Sequence, residues 1–107
     1  MPEFVTVAQA DEFQPGQRIV VEISKKWVAV FNVGGDYHAI QDICSHDGGD
    51  LADGELTGCE IACPRHGARF DIRTGKVMSA PALVDIPAFE VRVLDGQVQV
   101  ATARKKA

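Results

Sequence analysis

Two short segments of the chain each combine one cysteine with one histidine. Cys44 and His46 are two residues apart, Cys63 and His66 are three apart, and sixteen residues lie between the two pairs. Thiolates and imidazoles are side chains with which proteins bind iron, zinc and copper. Residues two apart in an extended chain point to the same side, and a turn can bring residues three apart together. The pattern therefore predicts a metal centre held by both pairs.

Two kinds of centre accept two thiolates and two imidazoles. A single zinc ion does so, but its usual spacings pair cysteine with cysteine and histidine with histidine. In a [2Fe-2S] cluster, Cys44 and Cys63 would hold one iron, and His46 and His66 would hold the other. The mixed pairs fit this two-metal centre better.

The elements that must position these pairs are predicted to be β-strands. Short runs of β-branched and aromatic residues are separated by turn residues, and two of the turns predict hairpins. No amphipathic helix or repeat is evident. The predicted strands are residues 4–7, 18–23, 26–32, 37–40, 89–93 and 97–100.

Residues 42–82 differ from the rest of the chain, because they are dense in Gly, Asp and Pro. Only short strands, at 59–62 and 69–72, are predicted there. A long irregular segment inside a compact domain needs something to order it. We expect that a bound metal centre, rather than a hydrophobic core, orders this segment.

The composition limits the class of protein. With 107 residues, 46% of them hydrophobic, the chain suits one domain spanning residues 1–107. A net charge of -4 disfavours nucleic acid and anionic lipid as partners. Three cysteines do not suit a disulfide scaffold. No signal-like N-terminus or long apolar run is present, so we expect a cytoplasmic protein without a membrane segment.

The ligand pattern resembles that of Rieske [2Fe-2S] proteins. Pro64 and Gly67 stand where that family has proline and glycine, and residues 73–76 and Pro81 resemble the turn and the covering proline loop of soluble Rieske ferredoxins. The resemblance covers nearly the whole chain. It implies an all-β fold, in which an antiparallel β-sandwich or barrel-like base carries a small inserted cluster-binding lobe at about 42–82.

Differences from the membrane-bound branch favour the ferredoxins. Respiratory and photosynthetic Rieske proteins have a disulfide between the two loops, and Gly49 and Arg65 occupy those positions here. They also have a hydroxyl residue and a tyrosine where this chain has Ala68 and Phe70. The resemblance therefore places the chain among the soluble ferredoxins.

A soluble Rieske ferredoxin is an electron carrier. The resemblance implies that the chain, as a monomer, passes single electrons from an NAD(P)H-dependent flavin reductase to a terminal oxygenase. No nucleophile, base or substrate pocket is indicated, so we expect no turnover by the isolated protein. The alternative is the small Rieske-like subunit of a nitrite reductase, or an accessory protein of iron-sulfur cluster assembly.

The remaining candidate residues have simpler interpretations. We expect His38 to be structural or on the surface, Cys59 to be a small packed side chain and Trp27 to lie in the core. An acidic run could be a solvated loop, or it could frame the histidine edge and attract basic partners. Its members are Asp42, Asp47, Asp50, Asp53, Glu55 and Glu60.

Overall fold

Two antiparallel β-sheets make up the fold. The computed structural model describes residues 3–44, 49–65, 67–80, 82 and 84–105. The strands of the larger sheet, the base, are β1 (Phe4–Gln9), β2 (Arg18–Ile23), β3 (Lys26–Val33), β4 (Asp36–Gln41), β8 (Ala88–Leu94) and β9 (Gln97–Arg104), and those of the smaller sheet, the lobe, are β5 (Leu56–Thr57), β6 (Glu60–Ala62) and β7 (Arg69–Asp71). The base sheet has the strand order β1-β9-β8-β4-β3-β2, and the lobe sheet has the order β5-β6-β7.

Strand β3 is the wall between two hydrophobic cores. Val28 and Val30 point into the base core, whereas Ala29 and Phe31 point into the core shared with the lobe. Alternate side chains of a strand point to opposite faces, so a strand covered on both sides must be apolar throughout. This explains why residues 28–31 form an unbroken apolar run rather than an alternating one.

Residues of the lobe contribute much of the hydrophobic core that the lobe shares with the base. Leu51, Ile61, Phe70 and Ile72 are all fully buried, and they pack in one cluster with residues of β3 and β4. The expectation that residues 42–82 lack a hydrophobic core was therefore wrong. Their apolar residues are spread between turns, so no period in the sequence reveals that they meet.

Arg18 joins the base to the lobe. Its Nη1 donates to the carbonyl oxygens of Ala52, at 2.8 Å, and Gly54, at 2.7 Å. Its guanidinium lies 5.4 Å from the centre of the Phe31 ring. Arginine stacks on aromatic rings in this way while it donates in its own plane. One side chain on β2 thus fixes the lobe segment that follows the first cysteine-histidine pair.

The predicted all-β architecture is confirmed, and each predicted base strand is present, most of them longer than predicted. Strand β5 and the 3-10 turn Ala10–Glu12 were not predicted. Trp27 was expected in the core, but its side chain is 58% exposed. It shares a face with Ala29 and Phe31 at the start of β3, where the lobe leaves it uncovered.

Over the described ranges, no helix has the length and apolar character needed to cross a membrane.

Candidate metal centre

The two candidate cysteines lie at corresponding places in the structure. Cys44 follows β4 and Cys63 directly follows β6. Their side chains are only 1% and 2% exposed, and both belong to the core shared by lobe and base. All three cysteines of the chain are within the described residues, and none forms a disulfide. Cys44 and Cys63 are therefore almost inaccessible to water, and both belong to one cluster of buried side chains.

Each of these cysteines closes a loop in the same way. The Cys44 N–H donates to the carbonyl oxygen of Gly49, and the Cys63 N–H donates to that of Ala68, both at 2.7 Å. In both cases the acceptor lies five residues after the donor. The Gly67 N–H also donates to the Cys63 carbonyl, at 3.0 Å, with a φ of +77° that favours glycine.

The two loops enclose the predicted histidines in sequence. His46 falls within 44–49 and His66 within 63–68. Both histidines, and Pro81, lie outside the described residues, so their assignment as ligands or as part of the covering loop stays a prediction.

Asp42 holds the segment directly after the first cysteine loop. Its carboxylate accepts hydrogen bonds from the backbone N–H groups of Leu51, at 2.7 Å, and Ala52, at 2.8 Å. The sequence grouped Asp42 with the acidic run, but this carboxylate organises the loop that follows Cys44. Asp50, Asp53 and Glu55 are exposed.

Arg65 connects the two loops. Its Nη2 lies 3.2 Å from the carbonyl oxygen of Asp50 and 3.6 Å from the Cys63 sulfur. The guanidinium also lies against Gly49, so closely that a Cβ on this glycine would overlap it. The sequence singled out Gly49 and Arg65 only because they cannot form a disulfide. The structure shows that they are nevertheless in contact.

The far end of the lobe is a turn organised by Asp71. Its carboxylate accepts hydrogen bonds from the Arg73 N–H at 2.8 Å, Nε at 3.0 Å and Nη2 at 2.9 Å. The side-chain hydrogen bonds stabilise the anion and lower the pKa of Asp71. Gly75 continues the turn, and its carbonyl accepts the Ile86 N–H at 2.8 Å. This bond ties the segment before β8 to the lobe.

The remaining cysteine and histidine fit their simpler interpretations. Cys59 is half-buried and packs against the lobe core. His38 lies half-buried on β4, and burial lowers its pKa, with a further contribution from Lys105. Both positions agree with structural roles.

The described part of the site fits a thiolate-bound metal centre. Two thiols are buried together, both loops are closed by backbone hydrogen bonds, and Arg65 places a positive charge beside the Cys63 sulfur. The thiolate is the form of cysteine that binds metal. The two thiols suit one half of a centre whose other ligands are imidazoles.

Comparison with known proteins identifies the family. Residues 3–90 match the Rieske [2Fe-2S] domain. Ferredoxin CarAc of Metapseudomonas resinovorans is 38% identical over 103 residues, which cover 95% of this chain and 96% of that protein. A chain in the complex of reduced oxygenase and oxidized ferredoxin in carbazole 1,9a-dioxygenase superposes with a TM-score of 0.90 at 36% identity and covers 97% of both chains. The ferredoxin of carbazole 1,9a-dioxygenase from Nocardioides aromaticivorans IC177 gives 0.86 at 33% identity and covers 94% of this chain and 96% of its own.

These similarities extend over nearly the full length of both compared chains and include proteins named as ferredoxins. A Rieske-type [2Fe-2S] cluster is accordingly the cofactor, and its role is electron transfer rather than catalysis. The chain belongs to the Rieske [2Fe-2S] family, as one of its ferredoxins.

Proposed function

We propose that this chain accepts single electrons from an NAD(P)H-dependent flavin reductase and delivers them to the terminal oxygenase of a ring-hydroxylating dioxygenase system. The observation that carries the proposal is the pair of matched cysteine loops in a chain that spans ferredoxin components over almost their whole length. The similar chain from a complex of oxygenase and ferredoxin supports an oxygenase as the acceptor. The same proposal includes a cytoplasmic monomer consisting of one domain over residues 1–107.

The proposed ligands are those predicted from the sequence. Cys44 and Cys63 hold one iron, and His46 and His66 hold the other. The bound cluster supplies one-electron redox chemistry. The protein keeps the two thiolates away from water, and the loop hydrogen bonds hold their backbone in place. Because both cysteine side chains are buried, we propose the histidine side of the cluster as the port for electrons.

Metal analysis tests the cofactor and the ligands together. Purified protein should contain about two irons and two acid-labile sulfides per chain. Cys44→Ser and Cys63→Ser should each abolish assembly, because a ligand thiolate is lost. Cys59→Ser is the matched control and should keep the cluster, because Cys59 lies outside both loops. Zinc in place of iron, or a native cluster in the Cys63→Ser variant, would contradict the assignment.

Electron transfer tests the partners. With NADH and a flavin-dependent ferredoxin reductase, the protein should be reduced, and an oxygenase of the carbazole 1,9a-dioxygenase type should reoxidise it in stopped-flow mixing. The Cys63→Ser variant should be inert in both half-reactions. A cluster-loaded protein that no such reductase reduces would contradict the proposed role as a carrier. Stable association with a larger nitrite reductase would favour the alternative role of a fixed subunit.

A further inference from the structure

One side chain spans the gap between the two cysteine loops. Arg65 belongs to the second loop, yet its Nη2 reaches the Asp50 carbonyl just beyond the first loop, at 3.2 Å. The same nitrogen lies 3.6 Å from the Cys63 sulfur. Sulfur is a large and diffuse acceptor, so this separation still allows an N–H···S hydrogen bond. The guanidinium therefore contacts both loops and a proposed ligand atom.

We propose that Arg65 is a positioning residue that holds the Cys63 thiolate and raises the reduction potential of the cluster. The inference rests on the proposed role of Cys63 as a ligand. One-electron reduction adds one negative charge to the cluster, and no bond or proton at Arg65 changes. A guanidinium keeps its charge at any physiological pH, so it favours the reduced state by electrostatic attraction.

The hydrogen bond acts in the same direction as the charge. Hydrogen bonds to the sulfurs of an iron-sulfur centre are among the means by which a protein sets its potential. The donor stabilises electron density on the thiolate, which increases on reduction. Because Arg65 is exposed, water screens part of its charge. The expected effect is therefore a measurable shift, with no loss of the cluster.

A substitution at Gly49 can disturb the contact between Arg65 and the Cys63 sulfur without changing Arg65 itself. The guanidinium occupies the space that a Cβ on Gly49 would need. A methyl group there should displace the end of the Arg65 side chain, because this is the flexible part of the contact. The Gly49 carbonyl, which accepts the Cys44 N–H, is retained in such a variant. Gly49→Ala thus moves the guanidinium without changing the charge of the protein.

Protein-film voltammetry of the cluster-loaded protein tests the inference. Arg65→Gln and Gly49→Ala should both have a lower potential than the wild type, and Arg65→Lys should lie between Arg65→Gln and the wild type. Lysine keeps the charge but lacks the planar fork of donors. The control Lys76→Gln removes the same charge at the other end of the lobe and should leave the potential unchanged.

Two results would overturn the inference. One is Arg65→Gln with two irons per chain and the wild-type potential. The other is Lys76→Gln with a potential lowered as far as in Arg65→Gln, because net charge alone would then explain the shift. If Arg65→Gln assembles no cluster, the potentials of Gly49→Ala and Arg65→Lys decide. A wild-type potential in both of these cluster-loaded variants would overturn the inference. Wild-type protein without iron and sulfide would instead refute the proposed cluster ligands, so the two failures are distinguishable.

Discussion

Ala68 and Phe70 are fully buried in the lobe core and carry no hydroxyl groups. In the membrane-bound Rieske proteins, the corresponding positions carry hydroxyl donors. The double change Ala68→Ser with Phe70→Tyr should raise the reduction potential, because new donors would stabilise the additional electron. Protein-film voltammetry measures the shift.

Ala101→Ser is the matched control for this experiment. It adds a buried hydroxyl on β9, in the base, and should leave the potential unchanged. An unchanged potential in the double variant would mean that positions 68 and 70 do not face the cluster. Without these donors, we expect a wild-type potential toward the low end of the Rieske range of about -150 to +300 mV. Arg65 acts in the opposite direction, because its positive charge and hydrogen bond should raise the potential.

Asp71 should contribute to stability in a pH-dependent way. Its hydrogen bonds from Arg73 lower its pKa below the ordinary value of 3.8. The stabilisation is therefore present above that value and is lost as the pH falls through the folded pKa. Asp71→Asn should lower the free energy of unfolding by about 1–2 kcal/mol at pH 7, through the weakened hydrogen bonds.

Thermal unfolding at pH 7 and at steps down to pH 2 measures this effect. The midpoint difference between wild type and Asp71→Asn should shrink as the pH falls below 3.8, because the wild-type carboxylate then becomes protonated and loses its advantage. Glu90→Gln, an exposed change on β8, should show no such trend. A difference that is independent of pH would argue against the ionised pair.

At the scale of elements, Gly75 is where the turn after β7 meets the segment before β8. Its φ is +79°, and a Cβ there would overlap the carbonyl oxygen of Ile86. Gly96, in the turn between β8 and β9, has a similar φ of +75° but open space around it. Gly96→Ala should cost about 1–2 kcal/mol from the backbone conformation alone.

Gly75→Ala should lower the free energy of unfolding more than Gly96→Ala does, because the backbone at residue 75 must also move away from the carbonyl oxygen of Ile86. The loss should appear in the thermal midpoint and in faster hydrogen exchange at the Ile86 N–H, which donates to Gly75. Equal costs in the two variants would show that the close approach to Ile86 contributes nothing.

The sequence predicted the base strands and the lobe strands β6 and β7, but it did not predict β5 or the lobe core. Strands such as β2 and β9 follow from β-branched residues between turns, which is local information. Strand β5 has only two residues, and the lobe core brings together Leu51, Ile61 and Phe70 across turns. Contacts of this kind depend on the tertiary fold, so the Gly- and Asp-rich sequence was interpreted as lacking a core.

The same distinction applies to the site. The cysteine-histidine pairs are recognisable because their spacing is a local signal, and their role as ligands stays a prediction. Arg65 and Asp42 were assigned differently, because their contacts reach far along the sequence. Arg65 donates to Asp50, 15 residues away, and Asp42 accepts from residues nine and ten positions away. The exposed position of Trp27 also depends on where the lobe ends, which no strand pattern specifies.

For the whole molecule, the distribution of charge predicts how a partner approaches. Asp50, Asp53 and Glu55 are exposed on the lobe, beside the first cysteine loop. If they steer a basic partner, the rate of electron delivery to the oxygenase should fall as salt increases. The double change Asp50→Asn with Asp53→Asn should slow delivery at low salt and flatten this dependence.

Stopped-flow reoxidation over a range of salt concentrations measures the rates. The control Glu90→Gln with Asp95→Asn removes two exposed charges from the base, at β8 and the turn after it. It should retain the wild-type salt dependence. The same salt dependence in the lobe variant, the base variant and the wild type would exclude steering by the lobe.

The burial of the thiols in the two cysteine loops has a consequence for the speed of electron transfer. Each loop is held by a backbone hydrogen bond of 2.7 Å, and its thiol is almost inaccessible to water. A preorganised environment does not have to rearrange when charge changes, whereas water dipoles would have to turn. The reorganisation energy at the cysteine side should thus be small, which lets electrons exchange quickly even when the driving force between donor and acceptor is slight.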